Sequence, residues 1–214
     1  MPPIIDVLER RFIPLAAGAE IRAEGEGELA RLSGVACPWD SLSVQLWRDW
    51  DTNKPVHERF TAGAFAEVLA AKPDVIIARD HDPSRLLGRT ASGTASVVET
   101  SRGLEYWVDP PATEEGRSIV VMVRRGDVRG SSFAFLPATV DWTEEEERII
   151  RTVRKVSLLH DCSPVTNPAY PESTATMSRS VEAMQKELNA WRSGDKAWRA
   201  ALLNREARLV ETGL

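Results

Sequence analysis

Few groups in this chain could move a proton near neutral pH, because its histidines are only three: His57, His81 and His160. His81 stands in Arg79-Asp80-His81-Asp82-Pro83, directly after the apolar run Val75-Ile76-Ile77-Ala78. A histidine on the loop that leaves a buried strand is held by a rigid scaffold and is still reachable by a substrate. Taken alone, an Asp-His-Asp-Pro segment is more often a surface turn. A second group is the pair Ser131-Ser132, which follows Gly130 where a loop passes into Phe133-Ala134-Phe135-Leu136. A serine hydroxyl is a weak nucleophile until an imidazole accepts its proton as an acyl carbon is attacked. Adjacent side chains on a strand point to opposite faces, so at most one of Ser131 and Ser132 can meet His81. A third group is Asp161, in Leu159-His160-Asp161-Cys162-Ser163-Pro164. A carboxylate there could hold the second imidazole N–H and stabilise the imidazolium formed during attack. Asp80 and Asp82 are nearer to His81 in sequence and compete for that role. Together these residue types point to acyl transfer.

Two other chemistries use the same segments. His57, Asp80, His81 and Asp82 could supply nitrogen and oxygen ligands to a metal in a hydrolase, although their spacing fits no zinc signature. Cys162 could act as a thiolate nucleophile, but a buried cysteine is usually inert.

Positioning the candidate groups falls to a mixture of short strands and helices. Ile21 to about Asp40, punctuated by Gly25, Gly27 and Gly34, reads as strands and turns. Thr61 to Lys72 reads as a short helix with Phe65, Val68 and Leu69 on one face, ended by Pro73. Val75–Ala78 suits a buried strand that delivers His81 to its C-terminal end. Ala95–Val98 and Leu104–Val108, joined through Ser101-Arg102-Gly103, read as a hairpin with a glycine at the tight connection. A second helix opens at Thr113-Glu114-Glu115, buries Ile119, Val120 and Val123, and closes at Gly126. Gly130 begins a strand running to Trp142, and Arg148 to Leu159 returns beside it across the solvated run Glu144–Glu147. Beyond Thr174 the apolar residues Val181, Met184, Leu188 and Trp191 recur at helical spacing, Ser193-Gly194-Asp195 interrupts, and Trp198, Leu202 and Leu209 resume. The expected division is an N-terminal extension over 1–20, a core domain over 21–174 and a helical C-terminal tail over 175–214. The tail could fold back on the core or dock on another protein.

Composition limits the classes open to this chain. Its 214 residues suffice for one sizeable domain, and 43% hydrophobic with 28% charged residues is ordinary globular usage. A net charge of -5 argues against a protein built to neutralise nucleic-acid phosphates. No apolar run is long enough to cross a bilayer, and the start MPPIIDVLERRF lacks the basic-then-apolar order of a secretory leader. Cys37 and Cys162 form no CxxC pair, which suits free thiols in a reducing compartment, with a single disulfide as the alternative.

Read in order, the segments are similar to one known family. Gly63-Ala64-Phe65, then His81-Asp82 with Leu87-Gly88-Arg89, then Gly103-Leu104 precede Arg125-Gly126-Asp127-Val128-Arg129-Gly130-Ser131-Ser132-Phe133-Ala134-Phe135. Asp161-Cys162-Ser163-Pro164-Val165-Thr166-Asn167-Pro168-Ala169-Tyr170-Pro171 completes the series. This series resembles the prohead (capsid maturation) proteases of tailed bacteriophages, serine peptidases related in fold to the herpesvirus assembly proteases. The resemblance runs from about Ile21 to Thr174. It implies that His81 and Ser132 are catalytic, since Ser131 takes a place often held by methionine or another apolar residue. Asp161 falls where the family carries a glutamate as the proposed third member, followed by Cys162 in place of valine, and Ala134 replaces the usual glycine. His160 is the alternative third member, because the herpesvirus relatives use a second histidine. The implied fold is α+β: a mostly antiparallel β-barrel or strongly curved sheet with a few flanking helices and a helical C-terminal tail. The implied substrates are the scaffolding region of the major capsid protein and the protease itself, cut inside the assembling prohead in the bacterial host cytoplasm. Self-association into a homo-oligomer is compatible with this, and no cofactor or metal is implied. For the oxyanion, Arg129 and the Phe133 backbone N–H are candidates on chemical grounds. The rival from another class is an inactive capsid scaffold or assembly chaperone.

Overall fold

The computed structural model describes residues 8–13, 20–166 and 175–195. Eleven strands and three α-helices follow one another in these segments. They are β1 (Glu9–Ile13), β2 (Glu20–Glu24), β3 (Arg31–Pro38), β4 (Trp47–Arg48), β5 (Pro55–Phe60), α1 (Ala66–Ala70) and β6 (Ile76–Ala78). Then come β7 (Leu86–Arg89), β8 (Ala95–Glu99), β9 (Gly103–Val108), α2 (Glu114–Arg125), β10 (Gly130–Glu144), β11 (Ile149–Val165) and α3 (Ala175–Arg192).

The long hairpin β10–β11 is the spine of a seven-stranded sheet ordered β1-β10-β11-β5-β4. β11 is long enough to serve two neighbours in turn, pairing in parallel with β5 near its start and with β6 at Asp161, and β6 pairs with β7. β2-β3-β9-β8 form a separate antiparallel sheet. The two sheets share one apolar core, in which Phe60, Phe65, Phe133 and Phe135 pack ring against ring. The expected α+β class with mostly antiparallel pairing holds, but the sheets do not close into a barrel. Closure needs ladder bonds between the sheets' outer strands, and among the described residues the two sheets are bonded separately. β10 instead carries register shifts between Ala134 and Val140, the kind of irregularity at which a strand bends.

Several elements follow their local chemistry. Thr113 caps α2 by accepting the Gly116 N–H, and Gly126 ends it in the left-handed conformation that glycine adopts without strain. Gly103 is required by close approach, because a Cβ there would lie 2.3 Å from the Cys37 carbonyl oxygen. α1 is shorter than the sequence pattern suggests. Gly63 has a φ of +86°, so Thr61 to Phe65 form turns and the helix begins at Ala66.

Two segments outside the expected core domain join it. β1 pairs with β10 along the edge opposite β11, from Glu9 against Phe135 to Ile13 against Ser131. α3 lays its stripe on the sheet, with Met184 and Leu188 buried against Trp47, Val56, Trp142 and Ile149. The Val181–Trp191 stripe is therefore folded back and not available as a docking face. Trp198, Leu202 and Leu209 lie outside the described residues. β1 and α3 meet at a buried ion cluster: Arg151 contacts Glu9, Glu58 and Glu187, and Arg11 contacts Glu9 and Glu58. Arg151 is fully buried, which is tolerable only because each of its charges and donors has a partner.

Candidate active site

Three elements bring the candidate site together. β10 carries Ser132, β11 carries Asp161 and Ser163 beside it, and the turn after β6 carries His81. Alternation along β10 sends Ser131 and Ser132 to opposite faces, as expected. Ser131 points at the second sheet, where its Oγ lies 2.8 Å from the Tyr106 hydroxyl and donates to the Glu20 carbonyl at 3.2 Å. Ser132 points the other way, onto the face that also carries Asp161 and Ser163. Burial pushes the Tyr106 hydroxyl above its ordinary pKa, so it stays neutral beside Ser131.

His81 reaches Ser132 through a strained turn. The chain leaves β6 at Ala78, and Asp80 and His81 both take left-handed backbone angles, with φ of 54° and 59°. Aspartate tolerates that region better than most residues. The Asp80 carboxylate also ties the turn to the end of β11, accepting the Thr166 N–H at 2.7 Å and its hydroxyl at 3.0 Å. Asp82 holds the other side by accepting the Ser84 N–H and hydroxyl. Both aspartates that flank the histidine thus shape its loop instead of touching its ring.

The ring contacts are made by the distant groups. His81 Nδ1 lies 2.6 Å from Asp161 Oδ1, and Nε2 lies 2.6 Å from Ser132 Oγ. A carboxylate can only accept, so Nδ1 carries the proton and a neutral ring presents Nε2 as acceptor to the serine hydroxyl. Asp161 is 2% exposed, and its Oδ1 also accepts from the Ser163 hydroxyl at 2.9 Å. Ser163 is a participant that sequence reasoning missed, although the two-residue strand period from Asp161 could have found it. Ser132 is itself only 4% exposed, and its Oγ has a second acceptor, the Arg11 carbonyl at 3.0 Å.

The other candidates fall elsewhere. His160 is exposed on the opposite side of β11 from Asp161, so the strand period separates it from His81. Arg129 is exposed just before β10. Phe133 sits in β10 between β1 and β11, so its backbone N–H faces one of those two strands. His57 is on β5 with Nδ1 2.9 Å from the Ser43 carbonyl oxygen, so the set of His57, Asp80, His81 and Asp82 does not assemble. Among the described residues, no three His, Cys, Asp or Glu side chains converge as metal ligands. Cys37 and Cys162 are free thiols, and burial holds both well above their ordinary pKa. Asp161 adds to the effect on Cys162, which makes that thiol a poor nucleophile.

Comparison with known families gives one match: the model of the caudovirus prohead serine protease family covers residues 18–187. No curated protein and no solved structure matches the chain. No helix among the described residues is long and apolar enough to cross a membrane.

Proposed function

Because this chain belongs to the caudovirus prohead serine protease family, we propose that it is the serine endopeptidase of capsid maturation in which Ser132 is the nucleophile, His81 the general base and Asp161 its orienting carboxylate. The observation that carries this assignment is the unbroken chain Asp161–His81–Ser132, with 2.6 Å at each link. Attack begins as Ser132 Oγ adds to the scissile carbonyl carbon and His81 Nε2 takes its proton. Asp161 faces the resulting imidazolium across Nδ1 and stabilises it. His81 then returns the proton to the leaving amine as the carbon–nitrogen bond breaks. Water, deprotonated by the same ring, releases the acyl group from Ser132. The oxyanion needs donors aligned in advance, and the Phe133 N–H, next in sequence to the nucleophile, is the nearest backbone candidate. Exposed Arg129 would have to swing in to serve.

The substrates in this reading are the scaffolding region of the major capsid protein and the protease itself, cut within the prohead as it assembles in the bacterial host. Co-expression with the capsid protein, scored by intact mass, tests it. Wild type should process the capsid protein, and Ser132→Ala and His81→Ala should leave it whole, since loss of a nucleophile or base lowers kcat by about three to six orders of magnitude. Ser131→Ala should still process. Cleavage that persists in Ser132→Ala would overturn the assignment, and an uncut capsid protein with wild type would favour an inactive scaffold.

A further inference from the structure

The nucleophile is covered by the chain's own N-terminal strand, in the way a substrate would cover it. β1 runs antiparallel to β10 with Arg11 opposite Phe133 and residue 12 opposite Ser132. The Arg11 carbonyl turns toward β10, because Ser132 Oγ lies 3.0 Å from its oxygen. In an antiparallel ladder a residue whose carbonyl faces the partner also turns its N–H there. Arg11 and Phe133 are therefore the pair that exchanges both hydrogen bonds. The Arg11 carbonyl oxygen thus sits between the Phe133 N–H and Ser132 Oγ, where the carbonyl of a bond about to be cut would lie. Contact with this carbonyl also offers the serine proton an acceptor other than His81.

The Arg11 side chain shows what this position selects. Its Nε donates to Glu58 Oε2 at 2.6 Å, its guanidinium also meets Glu9, and it lies 5.5 Å from the centre of the Phe135 ring. Glu58 is 1% exposed and Arg11 5% exposed, so the pair is sealed from water. If β1 leaves, Glu9 and Arg11 leave together. Glu58 and Glu187 then face Arg151 alone, two negative charges against one positive. A buried pocket with one excess negative charge favours a cationic side chain and rejects a neutral one.

We propose that β1 occupies this enzyme's own substrate-strand site as an intramolecular substrate mimic, and that Glu58 makes the site select arginine at the residue whose carbonyl meets Ser132. The inference rests on Ser132 being the nucleophile. A substrate segment enters by strand addition at the β10 edge after β1 peels away, main-chain bonds supplying affinity and the Glu58 pocket supplying choice. Activity is held down by the fraction of molecules in which β1 is seated.

The test uses the full chain and two quenched peptides, Glu-Arg-Arg-Phe-Ile and Glu-Arg-Met-Phe-Ile. Arg11→Met loosens β1, so its kcat/KM on the arginine peptide should exceed that of wild type about tenfold or more, through a larger open fraction. The same variant should prefer the arginine peptide over the methionine peptide by about a hundredfold, and Glu58→Gln should bring that ratio toward one. Equal cleavage of the two peptides, or no gain from Arg11→Met, would overturn the inference. Should Glu58→Gln fail to fold, wild type decides. A peptidyl arginine phosphonate bound to Ser132 should raise hydrogen exchange of the amides of residues 9–13, and unchanged protection there refutes displacement. A small fluorophosphonate read by peptide mass separates the two levels. Labelling of Ser132 without peptide preference sinks this inference and leaves the nucleophile standing, whereas no labelling of Ser132 in Arg11→Met sinks the nucleophile as well.

Discussion

Asp161→Asn isolates what the buried carboxylate contributes to the proposed reaction. In wild type two donors converge on one oxygen, His81 Nδ1–H at 2.6 Å and the Ser163 hydroxyl at 2.9 Å. An asparagine that keeps its amide oxygen in that place preserves both hydrogen bonds and the ring tautomer. What it removes is the negative charge facing the imidazolium during attack. With charge centres about 4 Å apart and an effective dielectric near 20, that interaction is worth about 4 kcal/mol. It converts to roughly a thousandfold in rate. The expected result is a kcat about a thousandfold lower with KM nearly unchanged, because the charge acts on the transition state and not on substrate binding. Single-turnover cleavage of the capsid protein by wild type and variant, side by side, measures it. His160→Ala serves as the control and should react at the wild-type rate. A loss of less than tenfold in Asp161→Asn, or a comparable loss in His160→Ala, would refute the assignment of Asp161 as the orienting carboxylate.

Three further outcomes are expected. Ser163→Ala removes one hydrogen bond from Asp161 while leaving its bond to His81, so kcat should fall about three- to tenfold, from a bond worth about 0.5–1.5 kcal/mol, with the melting temperature little changed. Tyr106→Phe deletes a buried hydroxyl whose partner Ser131 keeps the Glu20 carbonyl; unfolding free energy should drop by about 1 kcal/mol and peptide cleavage should not move. The third concerns pH. Burial alone would raise the Asp49 pKa, but Arg192, Thr52 and Gln185 together bring it below the ordinary carboxylate range. A carboxyl whose folded pKa is depressed adds stability above its unfolded pKa and loses it as pH falls toward the folded one. Denaturant midpoints should therefore fall as pH drops below about 4, and Asp49→Asn should flatten that part of the profile.

The candidate site is more legible in the sequence than the parts that cover it. His81 and Ser132 stand out because a strand end and a glycine-led strand start are local features, and the motif order picks Ser132 over Ser131. The alternation of β10 accounts for that choice in physical terms, sending Ser131 to Tyr106 and Ser132 to His81. Asp161 is less marked in the sequence, since it lies 80 residues from His81 while Asp80 and Asp82 are adjacent. Only the fold shows that the adjacent aspartates are spent on the turn, Asp80 on Thr166 and Asp82 on Ser84. The successive left-handed angles at Asp80 and His81 leave no clear sequence mark, because aspartate and histidine enter that region more often than most residues but still only in a minority of cases. The α3 stripe is visible as a stripe, but its partner is not, since Trp47 and Val56 come from the β4–β5 pair and Trp142 and Ile149 from the β10–β11 hairpin, two stretches far apart in the chain.

β1 is hidden in the sequence for a different physical reason, which bears on its role. Glu9-Arg10-Arg11 reads as a solvated charge run, and hydrophobic patterning has no means to bury it. Burial becomes possible only when Glu58, Arg151 and Glu187 supply opposite charges from β5, β11 and α3. A strand seated this way gains less net energy than one seated by apolar contact, because desolvation of each ion offsets most of its attraction. It is also more discriminating, since any occupant that lacks the arginine leaves Glu58 and Glu187 sharing the single positive charge of Arg151. Low net affinity with high selectivity suits a strand that must hold the site closed and then give way to another arginine-bearing segment. An apolar strand in the same place would seal Ser132 more tightly and would select its successor less.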